Sequence, residues 1–134
     1  MSADANVETV KAIYQAFGSG DVAAILDSCT DDVDWATEAA GDNAPWWGRR
    51  TGKEAVTGFF TGIAGAIEVT EFAPLSFAAN DTEVMVLLRF GSRSVATGKE
   101  ATMNLHHYWR FRDGKVEHYR GSEDTQLVAS TIAP

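Results

Sequence analysis

The most regular stretch of the sequence is Glu100-Ala-Thr-Met-Asn-Leu-His-His-Tyr-Trp-Arg-Phe-Arg112. Its side chains alternate in character, as they do in a β-strand that has one buried face. The first face consists of Met103, Leu105, His107, Trp109 and Phe111, and the second of Thr102, Asn104, His106, Tyr108 and Arg110. Because the first face is apolar except for His107, we expect it to lie beneath helices. We expect the second face to be solvated or paired with another subunit.

The same alternation continues on both sides of this strand. It predicts four strands, separated by three turn signals. The strands cover residues 67–79, 83–95, 100–112 and 115–123, and the turns are Asn80-Asp81, Gly98-Lys99 and Asp113-Gly114. Asp-Gly between two alternating segments is among the strongest hairpin signals, so the sheet is predicted to be antiparallel. A short strand over residues 33–37 comes before these four strands.

Helical spacing dominates the first half of the chain. Apolar residues within 4–17 recur on one helical face, and Gly18 and Gly20 end that helix. The expected caps are Asp4 or Asn6 for the first helix, Asp21 for the second, and the capping box Thr51-Gly-Lys-Glu54 for the third. Because helices precede strands, the sequence predicts the α+β class, with the helices on one face of a curved sheet.

The composition is that of an ordinary globular chain. Its 134 residues are 45% hydrophobic and 22% charged, which predicts a single domain over residues 1–134. The 19 acidic residues outnumber the 11 basic ones, and the net charge of −8 argues against nucleic acid and anionic membranes as partners. The one cysteine, Cys29, allows no intrachain disulfide, and no apolar run is long enough to span a membrane. The N-terminus is acidic, unlike a signal peptide, so we expect a cytoplasmic protein.

Several short motifs, in order along the chain, resemble a known family. They are Ile13-Tyr-Gln-Ala-Phe17 with Gly20-Asp21, Asp31-Asp-Val-Asp-Trp35, Gly48 with Gly52-Lys-Glu-Ala-Val56 and Phe59-Phe60, and His107-Tyr-Trp-Arg-Phe-Arg-Asp-Gly-Lys-Val116 with Asp124-Thr125. Together they resemble the nuclear transport factor 2-like superfamily, and within it the SnoaL-like polyketide cyclases and ketosteroid isomerase relatives. The resemblance implies a cone-shaped, cystatin-like fold, in which a strongly curved, mostly antiparallel sheet wraps around the N-terminal helices. It also implies a homodimer formed through the outer face of the sheet.

Two polar residues on apolar faces are the first candidates for chemistry. Tyr14 falls where the resemblance places the tyrosine that donates to a dienolate oxygen in steroid isomerases. His107 is the one ionisable group on its strand face, and a desolvated imidazole can act as a base or as a neutral hydrogen-bond donor. For both residues the alternative is a core side chain that a neighbouring group satisfies.

Carboxylates near two strand ends are the second set of candidates. The proton-shuttling aspartate of the isomerases falls on Thr37, and the adjacent Glu38 replaces it only if the strand bulges. Glu123 and Asp124 end the last strand, and the resemblance implies that the aspartate acts on an acidic C–H beside a carbonyl. Asp124 is alternatively a cap for a C-terminal helical turn, and which of the two carboxylates faces the pocket stays open. Gly121 stands where many relatives carry a glutamate.

The chain is rich in large aromatic residues, with four Trp and seven Phe. Those expected to line the interior are Trp35, Trp47, Phe59, Phe60 and Trp109. Trp46 and Trp47 lie in a loop, where large aromatics are seldom without a role. We expect one of them to be a lid or pocket wall and the other to be a dimer contact.

These residues favour a cofactor-independent isomerase, cyclase or hydratase acting on a small hydrophobic carbonyl compound. His107 and Asp124 or Glu123 would move protons, and Tyr14 would stabilise an enolate oxygen. The alternatives are a non-catalytic domain that binds the same kind of ligand and an accessory dimerisation module. Three scattered histidines make a weak metal site, and no phosphate loop, dinucleotide fingerprint or nucleophile elbow occurs. No metal or cofactor is therefore expected.

Overall fold

The centre of the fold is a six-stranded sheet, seen in a computed structural model that describes residues 2–134. The elements are α1 (Ala3–Ser19), α2 (Val22–Asp27), β1 (Cys29–Thr37), β2 (Gly48–Thr51), α3 (Lys53–Ala66), β3 (Ile67–Ala79), β4 (Glu83–Ser94), β5 (Glu100–Arg112), β6 (Lys115–Ser122) and α4 (Thr125–Ile132). The strand order is β2-β1-β6-β5-β4-β3, with β1 parallel to β6 and all other neighbours antiparallel. The sheet is curved and unclosed, which confirms the predicted α+β class.

The hairpin strands follow the sequence prediction closely. β5 pairs with β4 on one side and with β6 on the other. Its residues alternate between buried and exposed from Ala101 to Arg112. The face that carries His107 is buried and the face that carries His106 is exposed, as predicted.

The region before α3 differs most from the prediction. β1 begins at Cys29 rather than residue 33, and β2 was not predicted at all. Thr51 pairs with Asp34 in the β1–β2 ladder, so it belongs to a strand instead of capping a helix. The cap position of α3 is Gly52, with a φ of 87° and no side-chain hydrogen bond. The predicted capping box is therefore wrong.

The first two helices begin and end with different degrees of agreement. Ser2 caps α1 through its side chain, so the prediction of Asp4 or Asn6 is wrong. Asn6 lies inside the helix and is fully buried. Its side-chain amide donates to the backbone of the β3–β4 turn, and this hydrogen bond offsets part of the cost of burying it. Gly20 ends α1 in the left-handed conformation, with a φ of 74°, and Asp21 caps α2. The predictions for Gly20 and Asp21 are confirmed, whereas Gly18, which was also expected to end the helix, lies inside α1.

The core lies between the inner face of the sheet and the helices. α1 packs against β3 and β4, α3 against β1, β2 and β3, and α4 against β4 and β5. Trp35 and Trp109 are each 2% exposed, and their rings meet edge to face at 5.6 Å. Within residues 2–134, no helix combines the length and the apolar character that crossing a membrane requires.

Candidate functional site

A cavity on the inner face of the sheet brings together most of the predicted site residues. The predicted residues that line it are Tyr14, Trp35, Phe59, His107, Trp109 and Glu123. Three others, Glu38, Trp47 and Asp124, do not line it, and Trp46, Thr37 and Tyr119 do. The rest of the lining is mainly aliphatic and aromatic, and it contains no Lys or Arg. The few polar groups therefore act in a poorly solvated environment.

Tyr14, His107 and Trp109 form a hydrogen-bonded chain in the cavity wall. Tyr14 comes from the inward face of α1, and His107 and Trp109 are alternate residues of β5. The Tyr14 Oη lies 2.8 Å from Nδ1 of His107, and Nε1 of Trp109 donates to the same Oη at 3.3 Å. An indole N–H can only donate, so Tyr14 accepts from Trp109 and has its own proton to donate to His107.

Among residues 2–134 the Tyr14 hydroxyl has no other acceptor, so we assign its proton to the bond with Nδ1 of His107. The proton of the neutral imidazole is then on Nε2. Burial, helped by the neighbouring His106, lowers the pKa of His107 to about 3. Burial also raises the pKa of the Tyr14 phenol far above its ordinary value. Of the two roles open to His107, the geometry favours the neutral donor over the base.

Glu123 is held by a pair of tryptophans. Nε1 of Trp46 donates to Oε1 at 3.2 Å, and Nε1 of Trp47 donates to Oε2 at 3.0 Å. Burial raises the pKa of the Glu123 carboxyl, and the two indole N–H groups oppose that rise by stabilising the charged form. The result is a partly desolvated carboxylate in the cavity lining, with a fixed orientation.

The other two predicted carboxylates lie outside the cavity. Asp124 is exposed and caps α4, accepting from the backbone N–H of Leu127 at 3.0 Å. Of the two adjacent carboxylates, it is therefore Glu123 that lines the cavity. The Glu38 side chain is 74% exposed and pairs with Arg120 at 3.0 Å on the protein surface.

The two loop tryptophans are both buried. Trp46 is 4% exposed and Trp47 is 9% exposed, although both lie in the irregular segment between β1 and β2. Trp46 lines the cavity and Trp47 does not, which reverses the expected placement of Trp47 in the lining. Both indole N–H groups donate to Glu123 of the same chain, which directly follows β6. These two hydrogen bonds hold the loop against the end of β6.

Tyr119 is a cavity residue that the sequence analysis missed. It is 4% exposed and stacks on Trp35 at 4.1 Å between ring centroids. A Cβ built on Gly121 would lie 2.5 Å from the Tyr119 Oη and 3.3 Å from Oγ1 of Thr37. The hydroxyl therefore occupies the space that a side chain at Gly121 would need. Tyr119 and Gly121 are two residues apart on β6, so the sequence could have placed them on the same face of the sheet.

The α+β fold with its curved sheet agrees with the comparisons with known proteins. The family model of the SnoaL-like domain matches residues 10–119, so the chain belongs to the SnoaL-like domain family. No curated protein sequence matches the chain significantly.

Several solved structures are similar over nearly the whole chain. A nuclear transport factor 2-like protein of unknown function from Burkholderia pseudomallei K96243 is 26% identical, with a TM-score of 0.90 over 97% of this chain and 98% of that chain. TerC, co-crystallised with polyporic acid, is 25% identical, with a TM-score of 0.83 over 96% of this chain and 98% of that chain. A candidate polyketide cyclase from Xanthomonas campestris pv. campestris is 19% identical, with a TM-score of 0.80 over 98% of both chains, and shares the fold.

Proposed function

We propose that the protein catalyses proton transfer on a small hydrophobic carbonyl compound, as a cofactor-independent isomerase, cyclase or hydratase. The observation that carries the proposal is one apolar cavity lined by both a desolvated carboxylate and a neutral imidazole donor. Glu123 is the base, and Nε2–H of His107 is the donor to the developing negative charge. This pairing of a base with an oxyanion donor is what abstraction of a proton beside a carbonyl requires.

The proposed reaction begins when the Glu123 carboxylate takes a proton from the carbon next to the carbonyl. The step leaves an enolate and a neutral Glu123 carboxylic acid. Nε2–H of His107 donates to the enolate oxygen, while Tyr14 holds the ring through Nδ1. Return of the proton to another carbon completes an isomerisation. In a cyclisation, attack of the enolate carbon on a second carbonyl group breaks its C=O π bond and forms an alkoxide, which takes the proton back from Glu123. Desolvation supports the first step, because it makes the carboxylate a stronger base.

The comparison with TerC supports a small organic molecule as the ligand. TerC was co-crystallised with polyporic acid, and it is 25% identical to this chain in a match that covers 96% of this chain.

We also propose that the protein acts in the cytoplasm, since its single, buried Cys29 needs no oxidising compartment. Cell fractionation tests that location.

Hydrogen exchange at carbon tests the proposed chemistry without knowledge of the natural product. The wild type is incubated with 1-tetralone and other cyclic ketones in D2O, and loss of the α-proton signal is followed by NMR. Glu123→Gln is expected to lower the exchange rate by about 100-fold or more, as the loss of a positioned base does. The matched control is Asp124→Asn, which keeps an N-cap and alters a carboxylate outside the cavity. Exchange that survives in Glu123→Gln, or that is lost equally in Asp124→Asn, contradicts the proposal.

The second candidate function is binding of the same ligand class without turnover. The observation that favours it concerns residue 37, where the resemblance places the base of the isomerases. That residue is a buried threonine, which cannot act as a carboxylate base. Under this function, ligands quench the fluorescence of the cavity tryptophans, but the α-proton does not exchange. Exchange above the rate of buffer alone excludes it.

A further inference from the structure

We propose that Tyr119, together with Thr37, forms a second oxygen-binding subsite on the β1–β6 side of the cavity. The ligand then carries two oxygen functions, one bound by His107 and the other by this hydroxyl pair. The inference rests on the proposed function, because it concerns the ligand of the same cavity. It adds the chemical class of the ligand: a largely apolar molecule with a carbonyl and a second carbonyl or hydroxyl group.

The Tyr119 hydroxyl lies near the part of the wall that carries His107. Gly121 is the register partner of His107 on β5 and of Thr37 on β1. The hydroxyl fills the space above Gly121, beside the Thr37 hydroxyl, and the rings of Tyr119 and His107 are 5.2 Å apart between centroids. The hydroxyl pair and the imidazole thus line neighbouring parts of the same cavity wall.

Both hydroxyls of this pair carry a proton in the folded protein. Burial raises the pKa of Tyr119 well above its ordinary value, and the nearby Tyr14 and Glu123 add to the rise while the Thr37 hydroxyl opposes it. Tyr119 is therefore a neutral phenol. Two neutral hydroxyls carry two protons, and even a hydrogen bond between them would use only one. One O–H remains to donate to a ligand oxygen.

Trp35 packs behind Tyr119 on the same wall. The two rings stack with 4.1 Å between their centroids, and Tyr119 is only 4% exposed. Close packing of this kind restricts the ring to one orientation. A ligand oxygen in the cavity would therefore meet a Tyr119 hydroxyl of fixed position.

The charge of the lining limits what the second oxygen can be. The cavity wall contains no Lys or Arg, and Glu123 contributes a negative charge. A carboxylate or phosphate on the ligand would have no cation to pair with there. A carbonyl or hydroxyl oxygen needs only the neutral donors that Tyr119 and Thr37 provide.

Matched ligands with one and two oxygens test the subsite. Dissociation constants of 1-tetralone and of its ring-hydroxylated isomers are measured by calorimetry. At least one hydroxytetralone is expected to bind the wild type about five- to tenfold more tightly than 1-tetralone, as one added hydrogen bond would. Tyr119→Phe is expected to abolish this preference, so that the ratio of the two dissociation constants falls to about one. Thr37→Val, a nearly isosteric change, is expected to reduce it. The control Tyr108→Phe, on the outer face, is expected to change neither.

The outcomes separate the subsite from the proposed function. If 1-tetralone binds but no hydroxytetralone is preferred, or if Tyr119→Phe weakens all probes equally, the subsite is overturned and the exchange assay still decides the function. If no probe binds the wild type, the proposed ligand class is overturned and the subsite with it. Thermal unfolding shows whether Tyr119→Phe and Thr37→Val are folded. If one of them does not fold, the other still tests the subsite.

Discussion

His107 links the candidate site to the stability of the fold. Its pKa is about 3 in the folded chain and about 6.5 in an unfolded one. The native state therefore binds fewer protons than the unfolded state between these two pH values. The stabilisation is complete above pH 6.5 and is lost as the pH falls towards 3, at up to about 1.4 kcal/mol per pH unit.

We therefore expect His107→Asn to flatten part of the acid destabilisation of the wild type. Asn keeps a polar group near Tyr14 but does not titrate, so the difference in unfolding free energy between variant and wild type should shrink as the pH falls from 6.5. Denaturant unfolding at a series of pH values measures it. His106→Asn, an exposed change on the outer face, is the comparison. It removes only the smaller of the two causes that lower the His107 pKa, so most of the pH dependence should remain. If the difference in unfolding free energy does not depend on pH, the fold does not lower the pKa of His107.

The contact between Gly121 and Tyr119 gives a second expectation. Gly121→Ala places a Cβ only 2.5 Å from the Tyr119 hydroxyl oxygen, so one of the two groups must move. Overpacking of this kind costs about 1–3 kcal/mol. Tyr119→Phe removes the clashing oxygen, so the double variant should recover part of the loss. A double-mutant cycle by denaturant unfolding measures the coupling, and strict additivity of the two changes contradicts the contact.

Some of these residues could be found from the sequence and others could not. The period of α1 predicts that Tyr14 points inward, and the alternation of β5 predicts the same for His107. Their 2.8 Å contact joins residues 93 positions apart, which no local pattern encodes. Glu123 and Asp124 look equivalent in sequence, and only the end of β6 and the start of α4 separate their environments.

At the scale of elements, the segment between β1 and β2 was the least predictable. Its sequence has no helical or strand period, and its composition predicts only a loop. Its position comes from the hydrogen bonds of Trp46 and Trp47 to Glu123, which lies 77 and 76 residues further along the chain. A loop that reads as a flexible lid is thus buried against the end of a strand.

This loop should also set the acidity of Glu123. Trp47→Phe removes one N–H that stabilises the carboxylate, so the pKa of Glu123 should rise further. NMR titration of the Glu123 carboxyl carbon measures the change directly. In the exchange assay, the acid limb of the pH profile should move in the same direction. An unchanged Glu123 titration in a folded variant means that the indole does not tune the carboxylate.

At the scale of the whole molecule, the hairpin half of the sheet could be predicted and its closure around the cavity could not. β3 to β6 follow one another along the chain with short turns, so local alternation is enough to place them. β1 pairs with β6 in parallel, across more than half of the chain, and β2 forms only as its antiparallel partner. Such long-range pairs depend on the packing of the whole domain.

The outer face of the sheet carries the last prediction, which is that the protein is a homodimer. The lining of a groove there includes outward-facing residues of four strands, with the buried Val86 and His107 at its floor. The outward-facing residues are Ser76, Ala78, Met85, Leu87, His106, Tyr108, Arg120 and Ser122. Met85 is 58% exposed there, and burial against a second copy would remove this apolar surface from water.

Light scattering on the eluting protein should give twice the chain mass of 14.5 kDa. Met85→Lys places a charge on each side of the predicted interface, and like charges brought together with partial desolvation oppose association. We therefore expect this variant to shift toward the monomer, more strongly at low protein concentration. Val95→Lys is the matched control, since Val95 is equally apolar and 65% exposed but lies beyond the end of β4. A monomeric wild type contradicts the dimer, and equal dissociation of both variants contradicts its location on the outer face.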